Sequence, residues 1–425
     1  MGHDTSCRIA QAREARWIIY NPVTRISVGT ARAAIVGPEP ITATPGAFSA
    51  DMFTPRAEAL PDQTINSVAG EYSGVLLSSA AKIIELKEVA SRLARQYEPL
   101  LDPELFLASV SQGWAPKVVL VHTGRDVAGI LYAKERVISG IRTGVVYADG
   151  SLDGMLLATE RHRQDALRAA LETLLSSPGI RGVRLRLLRD GGDLDAIGQL
   201  AVSRSLDVQY SLIEHDDSPL WKYHAHLPLA DTYDRFLSRL GSTTRHNFRY
   251  YRRRFEAAGH QFVDRLSLDE LRAAALGLAP KSKLVTSWRQ MEVENGLKMV
   301  AAAGRPLAIG LKHRDGEWLS VIGGWYRPGG GVLCFQCNND FNFGNDSLSI
   351  VLRAYLIESL IAQGLEELVI WADTRGPLSR YVSYVPAVGV RLDLPTCSWR
   401  VARLLISTAK PLLPKRLAAV AQWIT

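Results

Sequence analysis

The chain has 425 residues, 47% of them hydrophobic and 22% charged, with a formal net charge of +7 and a pI near 9.2. This predicts a sizeable buried core in two or three domains, and a mild basic excess that permits anionic partners such as acyl-CoA, tRNA, anionic glycans or lipid head groups without selecting one. Four scattered cysteines exclude a disulfide framework, the lack of any run of about 18 apolar residues excludes a transmembrane helix, and the N-terminus lacks a secretory apolar region.

Taken in chain order, residues 1–80 show no helical or strand period. Arginines outnumber acids at its start, and Pro38, Pro40, Pro45, Pro55 and Pro61 interrupt the rest, so a poorly ordered arm is expected. A first lobe is expected over 81–220. It opens with helical stretches at 81–98 and 103–111. A hairpin follows around the turn Thr123-Gly-Arg-Asp126, then a strand near 143–147 and a loop at 148–154. The next helix, 160–175, carries Leu167, Ala170, Leu171, Leu174 and Leu175 on one stripe, and leads to an alternating strand at 182–188.

The same order recurs over 306–371: strand, turn, strand, turn, strand, loop, helix, strand. This predicts an internal structural duplication, with a second lobe at 221–395. His224 and His226 stand in a strand-like run with no third ligand nearby, which favours a structural role over a metal site. Residues 242–259 read as a helix docked by Thr244, Phe248, Tyr251 and Phe255, with Arg245, Arg249, Arg252 and Arg253 on another face. That cationic face is either a solvated surface or an anion-binding face over a cleft.

Val332 to Cys337 reads as a strand, 338–346 as a polar loop, and 347–363 as a long apolar helix ended by Gly364. A loop running into a helix N-terminus collects free N–H groups and positive dipole, which suits a phosphate on an acyl carrier and equally occurs as βαβ scaffolding. Cys334 and Cys337 are three apart on a strand and are expected on opposite faces, which argues against a redox pair or a zinc clip. Residues 396–425 form a basic amphipathic tail that either packs on the core or offers peripheral contact to an anionic membrane. A cytoplasmic protein, peripheral at the inner membrane if the tail binds there, is expected.

The stretch Arg245-His-Asn-Phe-Arg-Tyr-Tyr-Arg-Arg-Arg-Phe-Glu-Ala-Ala-Gly259, together with Val332 to Asp373, resembles the GNAT-superfamily acyltransferases of the CelD type, relatives of the Fem aminoacyl transferases. The resemblance implies an α/β (α+β) fold of two tandem GNAT-like mixed sheets with flanking helices. It also implies an N-acyltransferase that moves an acyl group from acyl-CoA, or another acyl carrier, to a small-molecule or glycan amine or hydroxyl. Some such relatives act in envelope or exopolysaccharide synthesis. Where the family places a glycine-rich pyrophosphate loop, this chain has Phe343-Gly-Asn-Asp-Ser347, in which Asp346 stands where it can cap the helix and compete with a phosphate.

On that reading Asp340 and then Asp373 are the candidate bases, both at strand ends. Gly344, Asn345, Asp346 and Ser347 are the carrier-phosphate candidates. Arg245, Asn247, Arg249 and Arg253 are candidates for holding an anionic substrate, and Gln336 and Asn338 for orienting the acceptor. No metal is expected, and nucleic acid is not an expected partner. Two alternatives stay open: a Fem-like transferase using aminoacyl-tRNA, and a degenerate, non-catalytic module binding an anionic partner.

Overall fold

A computed structural model of the chain describes residues 63–65, 71–93, 102–138, 140–149, 155–188, 192–213, 225–281, 287–371, 377–384, 387–395 and 408. Asp373, Cys7, Cys397, His224, most of the arm and all of the tail but Thr408 lie outside these residues.

The first half contains β1 (Gln63–Ile65), β2 (Tyr72–Leu77), α1 (Ala80–Ile84), α2 (Lys87–Leu93), α3 (Pro103–Ser109), β3 (Trp114–Thr123), β4 (Asp126–Ile138) and β5 (Ile141–Asp149). It continues through β6 (Leu156–Ala158), α4 (Arg163–Ser176), β7 (Gly182–Leu188), α5 (Asp193–Ser203) and β8 (Asp207–Ile213). The second half contains β9 (Ala225–Pro228), α6 (Tyr233–Arg239), α7 (Ser242–Ala257), β10 (Gln261–Val263), α8 (Leu268–Leu278), α9 (Ser287–Ala302), β11 (Pro306–Lys312) and β12 (Trp318–Arg327). It ends with β13 (Gly330–Asn338), α10 (Asp340–Phe343), α11 (Leu348–Ala362), β14 (Glu367–Ile370), β15 (Ser383–Tyr384) and β16 (Ala387–Asp393).

These strands make two mixed sheets, as the sequence predicts. The first runs β1-β2-β3-β4-β5-β7-β16-β8 with β6 beside β4, and the second runs β10-β11-β12-β13-β14-β9-β15. Each is built on an antiparallel meander followed by a helical crossover to a parallel neighbour: β5 to β7 across α4, and β13 to β14 across α11. The predicted stripe of α4 is fully buried against the first sheet. Gly364 (φ 71°) ends α11 and Gly259 (φ 73°) follows α7, both in the left-handed conformation expected of them.

The structure corrects the sequence reading in three places. Part of the expected arm is ordered: β1 and β2 form the edge of the first sheet, β2 pairing with residues 118–123 and burying Leu76 and Leu77. That order comes from a partner more than forty residues away, so no local period announces it. Second, β16, which the sequence reading grouped with the second lobe, crosses back to pair with β7 and β8 of the first sheet. Arg184 and Arg391 clasp Asp393 there at 2.9 and 2.7 Å, and although burial works against its charge, the two guanidiniums hold its carboxyl below the ordinary range. Third, the loop expected at 338–346 contains the single-turn helix α10, capped by Asn339 through the amide of Asn342.

The β12–β13 ladder carries a bulge. Gly324 opposes Leu333 and Gly323 opposes Phe335, so Cys334 is the extra residue. The bulge turns Cys334 to the side of Phe335 and Cys337, where both cysteines pack with α8 and α9, not on opposite faces as strict alternation requires. A Cβ at Gly324 would run into the Val332 carbonyl, a backbone atom that cannot swing aside. Gly324→Ala is therefore expected to cost about 2–3 kcal/mol through overpacking, read as a lower midpoint in urea unfolding.

Candidate active site

The two crossovers differ at one point. In the first sheet β5 stays paired with β7 up to Asp149, its own last residue. In the second, among the described residues, β13 pairs with β14 only over Gly330–Leu333, although it continues to Asn338. The last link is the Trp371 amide donating to the Leu333 carbonyl at 2.8 Å. The bulge at Cys334 immediately follows. Beyond it Gln336 and Asn338 share the α11 side of the sheet with Leu333.

On that side Ser320 and Gln336 are buried. The Ser320 hydroxyl donates to Asn338 Oδ1 at 2.6 Å, Gln336 Nε2 donates to the same oxygen at 3.2 Å, and Arg353 Nε of α11 donates to Gln336 Oε1 at 3.0 Å. The two predicted acceptor-orienting residues are thus adjacent and held in one polar chain inside an otherwise apolar cluster.

The chain re-enters helix at Ser347, a non-glycine residue in the left-handed conformation (φ 47°, ψ 45°) that makes no side-chain cap. The amides of Ile350 and Val351 both donate to its carbonyl, at 2.8 and 3.2 Å, which leaves those of Leu348 and Ser349 outside the helical ladder. Leu348, at the positive end of the α11 dipole, borders a cavity of ≈ 190 Å³ lined also by Tyr251, Arg254, Phe255, His260, Phe343 and Asp346. That volume suits one small polar group, not a whole carrier.

Helix α7 forms the opposite wall because Phe248 and Phe255 are buried in the second core. Arg252 turns inward instead of joining the displayed face. It bridges Glu256 (3.0 Å) and Glu358 (2.7 Å) and lies 4.3 Å over the Tyr355 ring of α11. The arginine that reaches the start of α11 is Arg254, bound to Asp346 at 2.9 Å. Asp346 is therefore held by a guanidinium. Arg245 and Asn247 are half-buried, while Arg249 and Arg253 are exposed, Arg249 standing 3.7 Å from Asp234. Asp340 is half-buried at the start of α10, directly after β13, and Gly344 and Asn345 lie in the turn that follows.

His260 went unnoticed in the sequence because its neighbours are distant in it. Its ring packs 4.6 Å from that of His313 and 5.2 Å from that of Phe255, and its Nδ1 accepts from the Arg314 amide at 3.3 Å. Burial first, then the neighbouring His313, pulls its pKa below the ordinary value. The neutral ring, with Nδ1 occupied, keeps its proton on Nε2. His226 bonds Glu367 across the β9–β14 pair at 2.8 Å, consistent with a structural role. Among the described residues no cluster of His, Cys, Asp or Glu is arranged to hold a metal. Nor is any helix there long and apolar enough to cross a membrane.

No family model and no curated protein matches the chain. Among solved structures, FemX is 9% identical over 75% of this chain and 96% of its own, with a TM-score of 0.50. The likeness is one of fold. The C-terminal domain of a putative lysylphosphatidylglycerol synthetase from Agrobacterium fabrum is 11% identical over 78% of this chain and 97% of its own, with a TM-score of 0.48. A tandem GNAT protein from the clavulanic acid biosynthesis pathway is 13% identical over 77% and 99%, with a TM-score of 0.42.

The lowered His260 pKa fixes the sign of a pH effect. Below about 6.5 the unfolded chain binds a proton that the folded one resists, so stability falls as pH drops through that value. His260→Gln is expected to flatten the decline of Tm between pH of about 7.5 and 5.5, followed by scanning calorimetry.

Proposed function

We propose that this chain is a GNAT-type acyltransferase whose second lobe takes an acyl group from an acyl-CoA-type thioester and passes it to an amine or hydroxyl. The bulge at Cys334 of β13, with the N-terminus of α11 and its uncapped first amides beyond it, supports the reading. An extended pantetheine-like arm can lie along a strand edge beside such a bulge and take backbone hydrogen bonds, as an added β-strand would. The strand's own amides can then polarise the thioester carbonyl without any special side chain.

In this arrangement Gly344 to Ser347, the amides of Leu348 and Ser349, and Arg254 receive the carrier phosphates. Asp340 takes the proton of the attacking amine, with Asp373 as the second candidate. The nitrogen attacks the carbonyl carbon, the C–S bond breaks, and the thiolate leaves to be protonated. Gln336 and Asn338 orient the acceptor, and Arg245, Asn247, Arg249 and Arg253 extend the cationic approach along α7. The α7 sequence supports a CelD-like kinship, and with it a glycan or envelope acceptor.

A second reading, a non-catalytic module that binds an anionic partner through α7, is favoured by Asp346, an acid at the point where phosphates would rest. Thiol release from short and long acyl-CoAs in the presence of amines separates the two. Turnover is expected, with Asp340→Asn lowering kcat on the order of 10²-fold and Ser349→Glu raising the donor KM several-fold by placing a charge at the α11 N-terminus. Absence of thiol release and of acyl-CoA binding, with salt-sensitive polyanion binding, would leave the second reading. Turnover with aminoacyl-tRNA in place of acyl-CoA would move the donor assignment to the Fem-like alternative.

A further inference from the structure

Arg353 sits on the buried side of α11, about 7.5 Å along the axis from its first residue. Among the described residues its hydrogen bond is the one from Nε to Gln336, and no carboxylate there pairs with it. Enclosure alone, with no acid contributing, pulls its guanidinium down to about 10. The residue still keeps part of its surface open. Other enclosed cations are treated differently. Lys117 has Glu135 at 3.5 Å, Arg163 has Asp193 at 2.8 Å, and Arg184 has Asp393 at 2.9 Å.

An enclosed charge without a counter-charge opposes folding, and nothing in the second core requires one at this position. Its planar fork is unused on the side facing away from Gln336, and that fork matches a carboxylate or phosphate oxygen pair. The nearby cation, Arg254, is already bound to Asp346. One enclosed positive charge is balanced by one negative charge. A doubly charged phosphate would leave an excess there.

The geometry points to Arg353, braced by Gln336, Asn338 and Ser320, as the recognition site for a singly charged anionic group carried by the acceptor, a carboxylate or a phosphodiester. The role of acceptor rests on the transferase reading; the anion site itself does not. The site lies on the α11 side of the β13 segment that follows the bulge, so an acceptor anchored there presents its neighbouring amine or hydroxyl toward the strand on which the thioester would lie.

The test uses the full chain in buffer free of competing anions, and reads Tm with propionate, dimethyl phosphate or pyrophosphate added. Wild-type protein is expected to gain a few degrees with at least one of the two monoanions. A response to propionate alone identifies the carboxylate, and to dimethyl phosphate alone the phosphodiester. Arg353→Met, which keeps the packed methylenes, is expected to melt above wild type without anion and to show no response. Arg353→Lys, which keeps the charge but loses the fork, is expected to respond weakly. The proposal is overturned by a wild type indifferent to both monoanions, by Arg353→Met responding as wild type does, or by an Arg353-dependent response to pyrophosphate alone. Because binding is read without turnover, an Arg353-dependent response in a protein that consumes no acyl-CoA would retain the anion site and remove the transferase reading. Acyl-CoA turnover without that response would do the reverse.

Discussion

The second lobe is organised by one backbone irregularity, the extra residue at Cys334. Strict alternation would place Leu333, Phe335 and Cys337 on one face and Cys334, Gln336 and Asn338 on the other. The bulge breaks that parity. Leu333 stays in the α7–α11 core, Phe335 fills the α8–α9 core, and Gln336 arrives under Arg353. Glycine makes this possible on both sides of Phe335, since a Cβ at Gly296 or at Gly323 would collide with its ring. Among the described residues the ladder to β14 runs up to that point.

The duplicated architecture is used in two ways. In the first sheet the crossover ladder is closed to the end of β5, and buried charges are matched within the protein: Lys117 and Arg142 with Glu135, Arg184 and Arg391 with Asp393. In the second, among the described residues, an enclosed guanidinium is left without an acid. A matched charge network holds a scaffold in register, whereas an unmatched charge is a cost that a fold carries where a ligand supplies the missing partner. That contrast is the physical ground on which the chemistry is proposed for the second lobe.

Much of this was legible in the sequence. The apolar stripe of α4, the turn glycines and the recurring order of strands and helix specified both lobes, because each is a local pattern of period 2 or 3.6. The aromatic stripe of α7 likewise fixed which face docks, with Phe248 and Phe255 buried. What escaped depends on distant pairing. Strand β2 is ordered by β3, β16 by β7 and β8, and the bulge by the ladder to β12. The same holds at the candidate site. Arg254 differs from the other arginines of α7 only in standing opposite Asp346, and His260 becomes noticeable only through His313. Arg353 was hidden within an apolar helix, and its lack of an acid is a property of three dimensions.

The return of β16 to the first sheet bears on how the chain reaches its native state. A ribosome releases the first lobe's helices and most of its strands early, yet the place between β7 and β8 stays vacant until residues 387–393 emerge. Asp393 arrives last and neutralises Arg184, a cation that has waited through the synthesis of some two hundred residues. The lobes are therefore not successive beads on a string: maturation of the earlier one is gated by translation of the later one, and a nascent chain halted between them exposes two unpaired strand edges to whatever chaperone is at hand.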